Sequence, residues 1–573
     1  MSKSAAPATN TLMTKREINL VVLGLMAGML LSALDQTVVS TSMRTIADDL
    51  NGMSLQAWVT TGYMIMSTIS TPLYGKLSDI FGRRLLFIIA IAIFLIGSLM
   101  AGTAQDMYQL AAYRAIQGLG AGGLMALPLA IMGDMLAPRE RAKYQGYFLA
   151  VFGVSSVIGP LIGGLFAGAN EILFVEGWRW VFLINLPVGL IALAIVLKFM
   201  HLPATHRRVR IDWWGAATVI TSTVPLLLIA EQGREWGWGS TAAWACYLVS
   251  AVSIVAFIFI ERAMGDDAII PLKLFKSSTF SMATILGVFV GFGMFGAMMT
   301  IPLYLQLVEG ATPTQSGLLM LPMILGMMIA SIASGQIMAR TGSYAVFPKL
   351  GTFFMASGFL YLTFLTADKP LWFVEIGMFL LGLGLGQLMQ TLTVASQNSV
   401  GPRDIGVATS SSTFFRSIGG TAGTAVLFSV LFTRIPETIA DAFKDSTIMQ
   451  NLKAALSDNA VLSDPNNKQI VAMLTSPDKT SIGDALNGDT SFLTQADPRL
   501  AEPFLVGFAN AAVSVYWISF IVLAIAFIIS WFVKSIPLRQ KSGMQEAADA
   551  DAALAAEAAE VAEATGAKKL SSN

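Results

Sequence analysis

Only one cysteine, Cys246, and two histidines, His201 and His206, occur among the 573 residues. A single thiol in an apolar stretch forms no internal disulfide. Two histidines five apart in a basic stretch leave no histidine metal site and no histidine proton relay. Charge is scarce as well: Asp, Glu, Lys and Arg make up 13% of the chain, where a soluble domain carries about 25%. The 36 basic and 36 acidic residues cancel, so the balance does not point to nucleic acid, and none is expected as a partner. No phosphate loop exists: Gly75-Lys76 has Ser70, not glycine, five residues upstream, and Leu77 follows it. That speaks against an ATP-driven pump. Neither a metal-ligand cluster nor a nucleophile–base constellation is present, so no enzyme, metal or organic cofactor is expected.

What the chain does have is lipid-like composition. Hydrophobic residues make up 55%, with 51 glycines and 30 methionines; small residues let helix backbones approach closely in lipid. Fourteen apolar runs are long enough to cross about 30 Å of hydrocarbon: 18–41, 55–74, 85–104, 107–133, 143–168, 178–199, 213–232, 241–263, 279–307, 314–339, 346–367, 371–397, 404–432 and 508–534. The first is too long for a signal-peptide core and is expected to be retained. An even number puts both termini on one side. The six loops of one side carry sixteen Lys and Arg, the six short loops of the other only Arg44, Arg179, Arg234 and Lys369, so both termini are expected in the cytoplasm.

The expected class is an all-α polytopic membrane protein. Its segments read as a cytoplasmic stretch at 1–17, six helices at 18–199, a linker with two extra helices at 200–263, six helices at 279–534 and a cytoplasmic tail at 535–573. Between the last two helices, residues 433–507 hold ten acids and six bases. Pro436, Ile439, Phe443, Ile448, Leu452 and Leu456 there suggest one amphipathic helix over 436–456, and Asp464-Pro465-Asn466-Asn467 a turn. A small extracytoplasmic cap is expected, with a surface for an accessory protein.

A few charges fall where lipid should exclude them. Asp35 lies in the first span; an ionised aspartate at a membrane-helix centre costs roughly 2.5–3.5 kcal/mol, so it should face a polar cavity. Arg114 is the second buried charge and falls at a depth that makes proximity to Asp35 plausible. Arg416 is a third, without a nameable partner. Glu309 and Glu375 sit near outer helix ends as candidates for a second proton site. The turn Gly75-Lys76-Leu77-Ser78-Asp79-Ile80-Phe81-Gly82-Arg83-Arg84-Leu85 must lie at a membrane surface. There Arg83 or Arg84 is placed to pair with Asp134, and Asp79 to cap a helix start, its carboxylate favoured by the helix dipole. Gly159-Pro160-Leu161-Ile162-Gly163-Gly164 combines close-packing glycines with a helix-bending proline. An eroded copy of the 75–85 turn recurs at Gly335-Gln336-Ile337-Met338-Ala339-Arg340-Thr341-Gly342, with Ala339 where Asp79 stands.

The 75–85 turn resembles the helix 2–3 signature of the major facilitator superfamily. Leu34-Asp35-Gln36-Thr37-Val38-Val39 resembles the helix-1 motif of its fourteen-helix drug/proton antiporter branch, departing at Ser42 and Arg44, where the motif has Ala and Pro. The run from Leu110 to Ala121 around Arg114 resembles the helix-4 motif. The 159–164 segment resembles the antiporter motif of exporters, and Trp178-Arg179-Trp180-Val181-Phe182-Leu183-Ile184-Asn185-Leu186-Pro187 and Phe414-Phe415-Arg416-Ser417-Ile418-Gly419-Gly420 resemble further signatures of the branch. The resemblance implies two six-helix bundles plus two extra helices. It also implies a proton-coupled antiporter in the cell membrane that exports small amphiphilic compounds, a multidrug efflux pump conferring antibiotic resistance, with protons as coupling ion. Asp35, Arg114, Arg416, Glu309 and Glu375 would serve coupling or the substrate cavity. Gly75, Asp79, Gly82, Arg83, Arg84 and Asp134 would latch the cytoplasmic face. Gly159, Pro160, Gly163 and Gly164 would set the antiport direction, and the Trp178 segment an interfacial anchor. The alternative is a dedicated exporter of an endogenous lipid, siderophore or metabolite. Partners are then the small-molecule or lipid substrate and membrane lipids, with the protein a monomer. The acidic outer loop and the cavity carboxylate lean towards cationic substrates.

Overall fold

Apolar segments in lipid satisfy their backbone polar groups internally, and a helix does this within one segment. The computed structural model describes residues 14–50, 55–200, 210–401, 404–475, 493 and 496–539, with isolated positions at 541, 545–546 and 549. Helices occupy all fourteen expected stretches. The first group is α1 (Lys15–Asp49), α2 (Gln56–Phe81), α3 (Arg83–Gly102), α4 (Met107–Met135), α5 (Pro138–Ala167) and the broken pair α6 (Trp180–Leu183) and α7 (Asn185–Phe199). Two helices follow, α8 (Trp213–Trp236) and α9 (Thr241–Met264). The second group is α10 (Ser278–Leu307), α11 (Pro313–Leu319) with α12 (Leu321–Thr341), α13 (Phe347–Leu362), α14 (Leu371–Asn398) and α15 (Ile405–Ala442). Beyond it come α16 (Ser446–Leu456), α17 (Asn459–Ser463), α18 (Lys468–Thr475) and α19 (Pro498–Ser530). Eleven stretches among the described residues are long and apolar enough to cross a membrane by themselves. α2 is diluted by Ser and Thr, α5 opens on a charged half, and α13 has sixteen residues; the full count of fourteen stays an expectation. Readings on 1–13, on 201–209 with both histidines, and on most of 476–495 and 540–573 fall outside the described residues.

Each group packs on itself. α4 seats against α2 and α3, and α1 against α5 and α7. In the second group α10 pairs with α15, α14 with α12 and α13, and α19 with α13 and α15. Glycines set the depth of these contacts. A Cβ on Gly118 of α4 would stand 3.0 Å from the Tyr63 Cα, and one on Gly120 would stand 2.5 Å from the Phe94 nitrogen. α4 therefore sinks between α2 and α3, carrying Arg114 with it. Across the groups α5 meets α12, and α15 meets α2 and α4. α8 and α9 lie mainly on one another, with α8 touching α2 and α15.

Helices α1, α15 and α19 each outrun their apolar runs by eight residues or more. α1 continues to Asp49, because Arg44 stands where the resembled motif has a helix-breaking proline, and Met43, Ile46 and Ala47 are buried. α15 continues through Pro436 to Ala442 rather than ending near 432. The single amphipathic helix expected over 436–456 is thus divided between the end of α15 and α16. The stripe Leu431, Ile435, Ile439 explains this: it packs on Leu500, Phe504 and Phe508 of α19, which itself starts ten residues earlier than expected. That burial outweighs the one backbone hydrogen bond a proline removes. α16 and α18 add Leu452, Ala455 and Ile470 to the same apolar cluster, giving the cap its own small core. The expected turn at Asp464–Asn467 forms, with Asp464 accepting from the Asn466 N–H at 2.9 Å.

Candidate functional site

α1, α4 and α7 converge on one carboxylate. Asp35 and Arg114 are each 1% exposed and form an ion pair. The other Asp35 oxygen accepts from Gln117 Nε2 at 2.9 Å and from Asn185 Nδ2 at 2.8 Å. Arg114 also donates to Gln117 Oε1 at 2.7 Å and lies 4.1 Å from the Tyr63 ring centroid. Tyr63 in turn shares a 2.9 Å hydrogen bond with Ser32. The spacing is helical: Gln117 is one turn beyond Arg114, so both reach the same carboxylate, one at each oxygen. Breaking such a buried pair typically costs about 3–5 kcal/mol.

Asp35 was expected to face a polar cavity. Instead its oxygens are enclosed by Arg114 and two amides. Nothing of its charge is left over for a cationic ligand in this conformation. Asn185 went unnoticed in the sequence because its motif reads as an interfacial anchor. Trp178 is buried, its Nε1 donating to Asp49 at 2.8 Å, and Arg179 donates to the Ala104 carbonyl at 2.7 Å. The motif's asparagine does something else, joining Asp35 to Ser98 at 2.9 Å.

α5 lies directly on the flank of this centre. The Thr37 hydroxyl donates to the Ser155 carbonyl at 3.0 Å, and Ser42, one of the two departures from the helix-1 motif, donates to the Gly163 carbonyl at 3.1 Å. A Cβ on Gly159 would collide with Thr37, and one on Gly163 would stand 2.9 Å from the Val38 carbonyl; one on Gly164 would meet nothing within 4 Å. Pro160 lies on the opposite side, where a Cβ on Gly317 would be 3.4 Å from its ring. Gly159→Ala is therefore expected to lose about 1–3 kcal/mol through overpacking, while Gly164→Ala melts like the parent. Thermal unfolding of the two purified variants tests this contrast.

The 75–85 turn closes one end of the molecule, here called the basic face. Gly82 joins α2 to α3 at φ +93°, a conformation glycine adopts without strain. It swings Arg83 back to Asp79, and Arg83 Nε reaches Asp134 Oδ2 at 2.7 Å. The pair sits against the first turn of α15: a Cβ on Gly406 would overlap Arg83 and lie 2.5 Å from Asp79, and one on Gly75 would overlap Ser410. Arg84 takes no part and donates to the Leu197 carbonyl at 2.6 Å. Arg141, counted in the sequence only for its charge, is 2% exposed and binds Gln397 of α14 and the Gly133 carbonyl at 2.8 Å. Gln397 Nε2 continues to the Leu129 carbonyl at 3.1 Å and Thr409 at 2.8 Å. No local pattern marks a glutamine 256 residues away as the partner of an arginine. The eroded copy keeps its turn, with Gly342 at φ +69°, but offers Ala339 in place of an acid.

The remaining candidates stay apart. Glu309 follows α10 at the opposite end, half-buried, with one oxygen lacking a partner; burial pushes its carboxyl above the ordinary range. Glu375 is half-buried in the first turns of α14. Neither hydrogen-bonds or pairs with Asp35 among the described residues. Arg416 is half-buried on α15, beside Gly287 and Gly291 of α10.

The model of the Major Facilitator Superfamily matches residues 25–424. The chain is 34% identical over 545 residues to the multidrug transporter protein MdtP of Bacillus subtilis (strain 168), covering 94% of this chain and 97% of that one. It is 36% identical over 424 residues to multidrug resistance protein 3 of the same strain, covering 74% and 81%. Among solved structures, the proton:xylose symporter XylE superposes with a TM-score of 0.57 at 14% identity, over 94% of this chain and 99% of that one; at that identity the likeness concerns the fold.

Proposed function

Because the chain belongs to the major facilitator superfamily, we propose that it is a proton-coupled antiporter that exports small amphiphilic compounds across the cell membrane by alternating access. Its basic face is the cytoplasmic one, by the charge asymmetry of the loops. The observation that carries the reading is the enclosed Asp35–Arg114 pair and its attachment to α5.

An ionised Asp35 ties α1 to α4 and α7. A proton arriving from outside cancels its charge and removes the strongest of those bonds, while Arg114 keeps Gln117 and the Tyr63 ring. α1 is then freer to shift, and α5 shifts with it through the close contact at Gly159 and Gly163. Since α5 also meets α12 of the other group, a local neutralisation reaches the contact between the halves. Such a proton is driven inward by about 1.4 kcal/mol per pH unit and about 2.3 kcal/mol per 100 mV. The curated relatives' names, multidrug transporter and multidrug resistance protein, support export of varied compounds.

The test uses purified protein in sealed vesicles with an imposed pH gradient and a fluorescent amphiphile as cargo. Gradient-dependent movement, stopped by a protonophore and competed by structurally unrelated amphiphiles, is the expected outcome. Movement indifferent to the protonophore would remove proton coupling from the reading. Competition by one compound class alone would favour a dedicated exporter.

A further inference from the structure

Arg416 lies eleven residues along α15 from its end at the basic face, roughly 16 Å up the helix and so near the middle of a membrane about 30 Å thick. Its guanidinium stays protonated at any physiological pH. No carboxylate pairs with it, and no hydrogen bond holds it, among the described residues. Of the other charges described above, Asp35 is held by Arg114, Gln117 and Asn185, and Asp134 and one oxygen of Asp79 by Arg83.

Its surroundings offer room and donors. Gly291 of α10 packs tightly on the Arg416 backbone, but Gly287, one turn away, does not: a Cβ there would meet nothing nearer than the Arg416 Cβ at 3.9 Å. α10 thus leaves a notch beside the arginine stem. Thr284 lies on the same α10 face, at i, i+3 with Gly287, and is 4% exposed with a hydroxyl that has no partner.

We propose that Arg416, with the Gly287 notch and the Thr284 hydroxyl, is the head-group site for cargo, and that the preferred cargo is an amphiphilic anion carrying a carboxylate, sulfonate or other delocalised negative charge. The assignment rests on the exporter reading and reverses the lean towards cations that the outer loop and Asp35 suggest. A cation finds Asp35 enclosed, and Glu309 and Glu375 lie toward the opposite end of their helices rather than at the depth of Arg416. An anion finds an unpaired guanidinium at the depth where transporters of this architecture hold their substrates. Binding there supplies the counter-charge that the fold withholds, and the apolar part of the cargo is left to the surrounding helices.

The test compares two probes of nearly equal shape and opposite charge, tetraphenylborate and tetraphenylphosphonium. Their binding to the purified full-length chain is measured by calorimetry against protein-free micelles. The parent is expected to bind the borate about tenfold or more tightly than the phosphonium; the borate has no acceptor atom and is held by charge alone, and the attraction of opposite charges a few ångströms apart out of water is large enough for that factor. Arg416→Gln should lose that preference without weakening phosphonium binding, and Arg416→Lys should retain part of it. Gly287→Leu fills the notch and should lower borate affinity with the arginine still present, which separates a ligand site from a structural role for the charge. Equal affinities in the parent, a preference for the phosphonium, or borate affinity unchanged in Arg416→Gln would each overturn the proposal. Binding needs no gradient. A selective site in a protein that fails to move cargo would sink the exporter reading and leave this one standing.

Discussion

Asp35→Asn is expected to reduce gradient-driven transport to the level of protein-free vesicles. The asparagine keeps the shape and can still meet Gln117 and Asn185, but it carries no exchangeable charge. It also leaves Arg114 buried without its partner, which typically costs about 3–5 kcal/mol, so loss of transport alone is ambiguous. The double variant Asp35→Asn/Arg114→Gln removes both charges from a site where each is 1% exposed. Its melting temperature should recover most of what the single variant lost, since replacing both partners of a buried pair is often close to neutral. Its transport should stay at background. Proton-driven transport persisting in the stable double variant would show that coupling lies elsewhere, and Glu309, with its partnerless oxygen and raised carboxyl, would be next in line.

Arg83→Ala is expected to open the basic face. Arg83 is the common partner of Asp79 and Asp134, and without it two acids are left facing each other against the first turn of α15. Arg141 and Gln397 still bridge the halves nearby, so the closed state is weakened rather than lost. Because Cys246 is the sole cysteine, a reporter is simple to build: Cys246→Ser with Ser410→Cys, the residue against which Gly75 packs. Labelling by a membrane-impermeant maleimide from the basic side should rise at least about tenfold on adding Arg83→Ala, the response to a bias of roughly 1.4 kcal/mol in a two-state equilibrium. Unchanged labelling would mean that the Arg83 cluster does not hold the face shut. Arg84→Ala, which forfeits only a bond to the Leu197 carbonyl, serves as the control and should label like the parent.

Where reading the chain went astray, the cause was distance along it. Pro436 looked like a helix start because proline is a local signal, yet Ile435 and Ile439 find Leu500 and Phe504 some sixty residues later and keep α15 unbroken. Asn185 looked like part of an anchor because its neighbours Trp178 and Arg179 have the chemistry of one. Arg141 looked like one more positive charge at a membrane surface, and only the approach of α14 makes it a bolt. Each of these depends on which helix arrives from elsewhere in the chain, and no window of residues carries that information.

Lipid as solvent is what made so much legible beforehand. Hydrocarbon imposes helices on any spanning segment and makes a stranded charge stand out against its background. The positions of the helices, the turn at Gly82 and the isolation of Asp35, Arg114 and Arg416 could therefore be written down from residue order alone. Pairing could not. That Asp35 is closed in by Arg114, Gln117 and Asn185, that Arg83 rather than Arg84 reaches Asp134, and that Arg416 has no counter-charge among the described residues were decided when α1, α4, α7 and α15 packed. Burial depth follows from local hydropathy; a partner is fixed only by three-dimensional packing.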